Sequence, residues 1–101
     1  MENIDINEYL KEARKNARKF GFDGTIDLSD RIDKKLKFTD RVTGKVIHFG
    51  AKDYYDKIMY RMLFGSEYAE KKSTQYRSRA RSIYNKAPFL SPSSLSWLVL
   101  W

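Results

Sequence analysis

Apolar side chains recur at spacings of three and four through the opening segment: Ile6, Tyr9, Leu10, Ala13, Ala17 and Phe20. That period places them on one face of a helix over residues 5–20, with most of the basic side chains on the other face. Asp5 is positioned to cap the first turn, and Glu8 three residues on completes a capping-box pattern. Gly21 supplies the left-handed residue that ends the helix. After the turn Phe22-Asp23-Gly24-Thr25 the period shortens to two. Within Lys35 to Thr39, Leu36 and Phe38 share one side of an extended strand, and Lys45 to Phe49 is a second run rich in β-branched and aromatic residues. Asp40-Arg41-Val42-Thr43-Gly44 between them has the length and the glycine of a hairpin loop, so a β-hairpin is expected over 35–49. Ile26 to Ile32 offers a third strand. Two strands are marginal in water by themselves, so helices must cover one face.

Residues 53–101 read as a helical region. Tyr55, Ile58, Met59, Met62 and Leu63 follow helical spacing from about Asp53 to Phe64, with Asp53 as the expected cap and Gly65 as the stop. A longer helix over residues 67–85 carries Tyr68, Ala69, Tyr76, Ala80 and Ile83 along one side, interrupted by Lys72. Lys71, Arg77 and Arg81 are expected on its outward faces. Pro88 ends it, and Ser91-Pro92 opens another helix, with serine as cap and proline at the first position. The run from Leu95 to Trp101 is almost entirely apolar and too much for one side of a small core. Either the segment threads between other elements, or part of it stays exposed as a docking anchor of the kind tryptophan provides. The expected architecture is a single α+β domain over 1–101, a β-hairpin packed against three or four helices.

At 101 residues the chain has room for one domain, and 15% aromatic residues give it enough large rings to build a core without cross-links. It has no cysteine, which excludes disulfides, thiolate nucleophiles and sulfur-ligated zinc, and makes an intracellular setting the expectation. The opening Met-Glu-Asn-Ile-Asp lacks the basic-then-apolar order of a secretion signal. The apolar run ending at Trp101 is far short of the ~20 residues that a bilayer span requires.

Charge changes the picture most. Twenty Lys and Arg against 13 acids leave a net charge of +7, which favours a polyanionic partner. The excess is gathered in two stretches. One is Lys11, Arg14, Lys15, Arg18 and Lys19. The other runs from Lys71 onward without a single acid and holds Lys71, Lys72, Arg77, Arg79, Arg81 and Lys86. Arginine forks match phosphate oxygens, and tyrosines at 54, 55, 60, 68, 76 and 84 can serve either as core or as stacking surfaces for bases. With no base-reading motif present, such binding is expected to tolerate any sequence and to depend on salt.

Catalytic material is sparse. The lone histidine, His48, sits between Ile47 and Phe49 on a strand, where a structural hydrogen-bonding role is the expectation. A proton-transfer pair with Asp53 or Asp56 is the alternative, but it would still need a nucleophile or a metal. The five glycines are isolated turn residues and form no phosphate-cradling loop. Neither a catalytic residue, nor a metal site, nor a cofactor is expected.

Three blocks taken together carry a resemblance. They are Gly44-Lys45-Val46-Ile47-His48-Phe49-Gly50-Ala51-Lys52-Asp53-Tyr54-Tyr55-Asp56, then Tyr76-Arg77-Ser78-Arg79, then Leu95-Ser96-Trp97-Leu98-Val99-Leu100-Trp101. In that order they resemble a family of small basic proteins of unassigned function encoded by large nucleocytoplasmic DNA viruses. The resemblance covers residues 44–101 and leaves the first helix outside. Relatives of that kind usually have a further histidine and aspartate after the Tyr-Asp block, and a histidine after the Tyr-x-x-Arg arginine. Here Ile58 to Leu63 holds neither, and Ala80 follows Arg79. The resemblance implies a viral protein, found in the virion or in the cytoplasm or nucleus of an infected cell.

The leading expectation is a minor structural component of the virus particle, bound to capsid subunits or to packaged DNA. In the capsid form Trp97, Leu98 and Trp101 dock on a neighbour. A sequence-independent nucleic-acid binder acting outside the particle is the alternative, and a third reading lays the last segment on a membrane surface.

Overall fold

The first helix, α1 (Ile6–Lys19), starts and stops where its sequence says it should. Asp5 Oδ1 accepts from the backbone N–H groups of Asn7 and Glu8, which satisfies two donors that the first turn leaves free. At the other end Gly21 lies at φ 84°, Phe22 N–H donates to Ala17 O and Gly21 N–H to Arg18 O. That pair of bonds is a Schellman closure, and it turns Phe22 back into the core. Tyr9, Ala13 and Ala17 form the buried face, as the period requires.

The computed structural model describes residues 3–101, and in it the expected hairpin is part of a three-stranded antiparallel sheet. The strands are β1 (Gly24–Leu28), β2 (Lys34–Asp40) and β3 (Val46–Ala51), in spatial order β1-β2-β3. Register sets Ile26 opposite Phe38, Phe38 opposite Ile47 and Leu36 opposite Phe49, so one face of the sheet is continuously apolar and buried. The third strand starts earlier than residues 26–32 suggest. Ile32 is 89% exposed, in the loop between β1 and β2.

The chain then forms α2 (Lys57–Phe64) and α3 (Ser66–Lys86), which meet at Gly65. The expected start of α2 at Asp53 needs correction, because Asp56 is the cap and its Oδ1 accepts from Met59 N–H at 3.0 Å. Tertiary contacts fix this choice. The other Asp56 oxygen takes the Tyr9 hydroxyl at 2.6 Å and Lys35 Nζ at 3.1 Å, and both the Lys35 and Asp56 side chains are almost wholly buried.

In α3 the buried side is rotated from the expected stripe. Ala69 and Ser73 are buried, while Tyr68 and Ile83 are exposed. Arg77, expected outward, is drawn inward, with its guanidinium carbon 4.8 Å from the centre of the Trp97 ring.

Ser91 caps the short α4 (Pro92–Leu95), with Pro92 in its first turn. The helix runs directly into a π-helical turn, Ser96–Leu100. This segment is threaded between the two halves of the molecule. Leu95, Val99 and Leu100 enter the sheet-side core, and Trp97 and Trp101 face α3. Its last carbonyls are satisfied by side chains from both halves: Asn16 Nδ2 donates to Val99 O at 2.8 Å, and Ser73 Oγ to Trp101 O at 2.9 Å. No helix among the described residues is long and apolar enough to cross a membrane.

Candidate cationic aromatic cleft

Helical geometry divides the six cations predicted to bind a polyanion. At about 100° per residue, the positions of Lys72 and Arg79 fall on one flank of α3, and those of Arg77 and Arg81 on the other. Lys86, at the end of α3, continues the flank of Lys72 and Arg79, and Lys71 lies on the outer face; both are exposed. Arg77 and Arg81 both sit over the Trp97 ring, the second at 6.0 Å. Trp97 is itself buried and stacked on Tyr84 at 4.5 Å. The predicted docking trio is thus largely used within the chain, since Leu98 packs against the core and Trp101 stacks on Tyr76 at 4.3 Å. Among the described residues, none of the six cations has a carboxylate partner.

Lys72 and Arg79 instead look across a cleft of about 610 Å³. Its far wall is the end of the hairpin, where Lys34 pairs with Ala51, followed by the loop that carries Tyr54 and Tyr55. Tyr60, Tyr76 and Trp101 supply the remaining aromatic surface, and Gln75, Ser93 and Ser96 the polar groups. Among the described residues no Asp or Glu lines it. Lys34, Lys72 and Arg79 have no carboxylate within ion-pair distance among the described residues, although five carboxylates elsewhere hold Arg14, Arg31, Arg41, Lys57 and Arg61. Lys72 rides on ring faces, 5.7 Å from the centre of Tyr60 and 5.5 Å from that of Tyr68. Burial pushes the Tyr76 phenol above its ordinary value, against the pull of Arg77 and Arg79, so its hydroxyl stays a donor.

The floor is rigid. Lys35 and Gly50 are the two positions omitted from the ladder between the pairs Lys34–Ala51 and Leu36–Phe49. Gly50 has φ 80°, and a Cβ there would lie 2.9 Å from Leu100 Cδ1 and 3.3 Å from Lys35 Cε. The Lys35 side chain runs past it to Asp56, which neutralises its charge, and it also donates to Tyr54 O. That bond anchors the Tyr54-Tyr55 loop from below. Sequence reasoning found the tyrosines and the α3 cations but missed Lys34. The signal was there, because pairing across a 35–49 hairpin brings the residue before it next to the segment after it.

His48 lies elsewhere, on β3 opposite Lys37. Its Nδ1 is 2.7 Å from Ser29 Oγ and 3.9 Å from Asp30 Oδ1. The expected alternative, a pair with Asp53 or Asp56, does not form, because Asp56 is taken by Tyr9 and Lys35. Nor is Ser29-His48-Asp30 a relay, since serine and aspartate address the same ring nitrogen, whereas a triad uses both. Ser29 Oγ also accepts from Arg31 N–H, which makes it a turn residue. Among the described residues no three His, Asp or Glu side chains gather as a metal site.

No family model, curated protein or solved structure matches this chain.

Proposed function

We propose that the chain is a non-enzymatic component of a large DNA virus particle that holds nucleic acid without reading its sequence. The particle setting rests on the resemblance carried by the blocks from Gly44 to Trp101. The binding role rests on one observation: Lys34, Lys72 and Arg79 line one aromatic cleft and, among the described residues, have no Asp or Glu partner to balance them. These cations would neutralise phosphates and release the counterions condensed along the nucleic acid, and that release is the main source of sequence-independent affinity. The burial of Trp97 favours the genome-bound form over docking on a capsid neighbour.

The test is binding of random-sequence DNA at several salt concentrations. Affinity is expected to fall linearly on a log–log plot, by roughly 0.7–0.9 in slope per phosphate neutralised. Replacing Lys34, Lys72 and Arg79 together by Ala is expected to flatten that slope. A salt-independent affinity, or one indifferent to the triple variant, defeats the proposal. Mass spectrometry of purified virions tests the particle assignment separately, and a nuclease assay with magnesium or manganese, run on wild type and His48→Ala, tests the non-enzymatic one.

A further inference from the structure

The cleft's shape says more about the ligand than its charge does. We infer that it takes an unpaired base together with its flanking phosphate, so that the protein holds single-stranded nucleic acid in preference to duplex. This rests on the binding role proposed above.

Three observations carry the inference. The first is concavity. At about 610 Å³ the cleft falls within the ~300–1,000 Å³ of sites that enclose a small molecule or one unit of a polymer. Its cations stand on facing walls, Lys34 on β2 and Lys72 with Arg79 on α3. They address a strand that enters the gap, not a convex backbone lying along a helix.

The second is the distribution of the remaining arginines. Lys72, Arg79 and Lys86, seven residues apart, form one narrow basic line along α3, and a duplex laid there would need the other arginines to widen it. Arg77 and Arg81 are instead turned to the opposite flank, with their guanidinium groups over Trp97.

The third is exposed aromatic surface at the mouth. Tyr54 is 72% exposed and Tyr55 45%. Tyr54 stacks on no ring among the described residues, and Tyr55 meets Tyr60 edge-to-face at 85°, which leaves at least one of its faces clear of a ring. Neither ring is needed for the core, yet the backbone beneath is held by Lys35 Nζ donating to Tyr54 O and by Tyr54 N–H donating to Ala51 O. A pre-positioned open ring beside an unbalanced cation is the pairing that single-strand binders use, because each base offers a flat face once it leaves the stack. In a duplex those faces are already covered.

Fluorescence anisotropy with labelled dT12, a 12-base-pair duplex and unlabelled dTMP as competitor tests this on the full chain. Both tyrosines are exposed, so Tyr54→Ala/Tyr55→Ala is expected to fold, which circular dichroism verifies, and Tyr54→Phe/Tyr55→Phe keeps the rings. Wild type is expected to bind dT12 more tightly than the duplex. The Ala pair is expected to lose on the order of 5- to 150-fold for dT12 per stacked base, with a smaller loss for the duplex, and the Phe pair to retain wild-type affinity. Duplex bound as tightly as dT12, or dT12 affinity untouched by the Ala pair, overturns the inference and leaves salt-dependent binding standing. Competition by dTMP at the affinity of dT12 overturns it too, in favour of a free nucleotide. Binding of none of the three at low salt removes the proposed function itself.

Discussion

On the inner face of the sheet, Tyr9, Leu36, Phe38 and Phe49 are entirely withdrawn from water, and the one ion pair among them, Lys35 with Asp56, is closed by the Tyr9 hydroxyl. Along α3 the opposite holds. Tyr60, Tyr76, Tyr84 and Trp101 are each partly exposed and meet as stacked or tilted pairs, with Lys72, Arg77 and Arg81 over ring faces and no carboxylate to balance them. Both regions contain aromatic rings and cations, but the first encloses them and the second displays them. Stability is therefore concentrated on the sheet side, where the apolar face is fully buried and the enclosed Lys35 is matched by Asp56. The α3 side keeps cations within reach of a ligand, because ring faces hold a guanidinium or ammonium without cancelling its charge.

The largest break in this contrast should come from Asp56→Ala. It strands Lys35 in a buried site and frees the Tyr9 hydroxyl, and removing one partner of a buried pair costs about 3–5 kcal/mol. A domain of this size has a total of about 5–15 kcal/mol, so urea denaturation should show the midpoint collapse. A loss under ~1 kcal/mol would mean that the pair is hydrated, and the two regions would then differ less than described.

Alkaline pH probes the same cluster more gently. Burial, with the Asp56 carboxylate beside it, pushes the Tyr9 phenol far above its ordinary 10.0. Above pH 10 the unfolded chain gives up this proton while the folded chain keeps it, so folding loses about 1.4 kcal/mol per pH unit from this group. Below pH 10 the contribution is fully present. Tyr9→Phe should be less stable at neutral pH, with a shallower decline above pH 10. Equal slopes in the two proteins would remove Tyr9 as the cause.

The α3 side should respond least. A double-mutant cycle on Tyr76→Ala and Trp101→Ala is expected to give a coupling of about 0.5–1.5 kcal/mol from their stack at 4.3 Å. A coupling near 3 kcal/mol would place the seam on the same footing as the sheet.

What the sequence discloses follows the same division. The ends of α1, the 35–49 hairpin, the Ser91-Pro92 opening and the α+β architecture are legible because each rests on local chemistry: a cap, a period or a turn residue. The start of α2 is not, because Asp53 and Asp56 are equally good caps until Tyr9 and Lys35, distant in sequence, select one. The inward turn of Arg77 is hidden for a related reason. Its position on a polar helix face predicts solvent, and only the arrival of Trp97 supplies a surface to lie on. The cleft is half legible. Tyr54, Tyr55, Lys72 and Arg79 are conspicuous as residue types, but their convergence with Lys34 depends on sheet register and on a kink at Gly50, both of which are set by long-range pairing.

The threaded segment imposes an order on synthesis. Asn16 waits for the carbonyl of Val99, 83 positions later, and the apolar face of α1 waits for Val99 and Leu100. A nascent chain shorter than this therefore leaves the ribosome with the side of α1 that meets Ser96–Leu100 uncovered, and its sheet lacks one lid. Folding is in this sense deferred until residues 95–101 have emerged, and chains interrupted before them should be targets for chaperones and proteases.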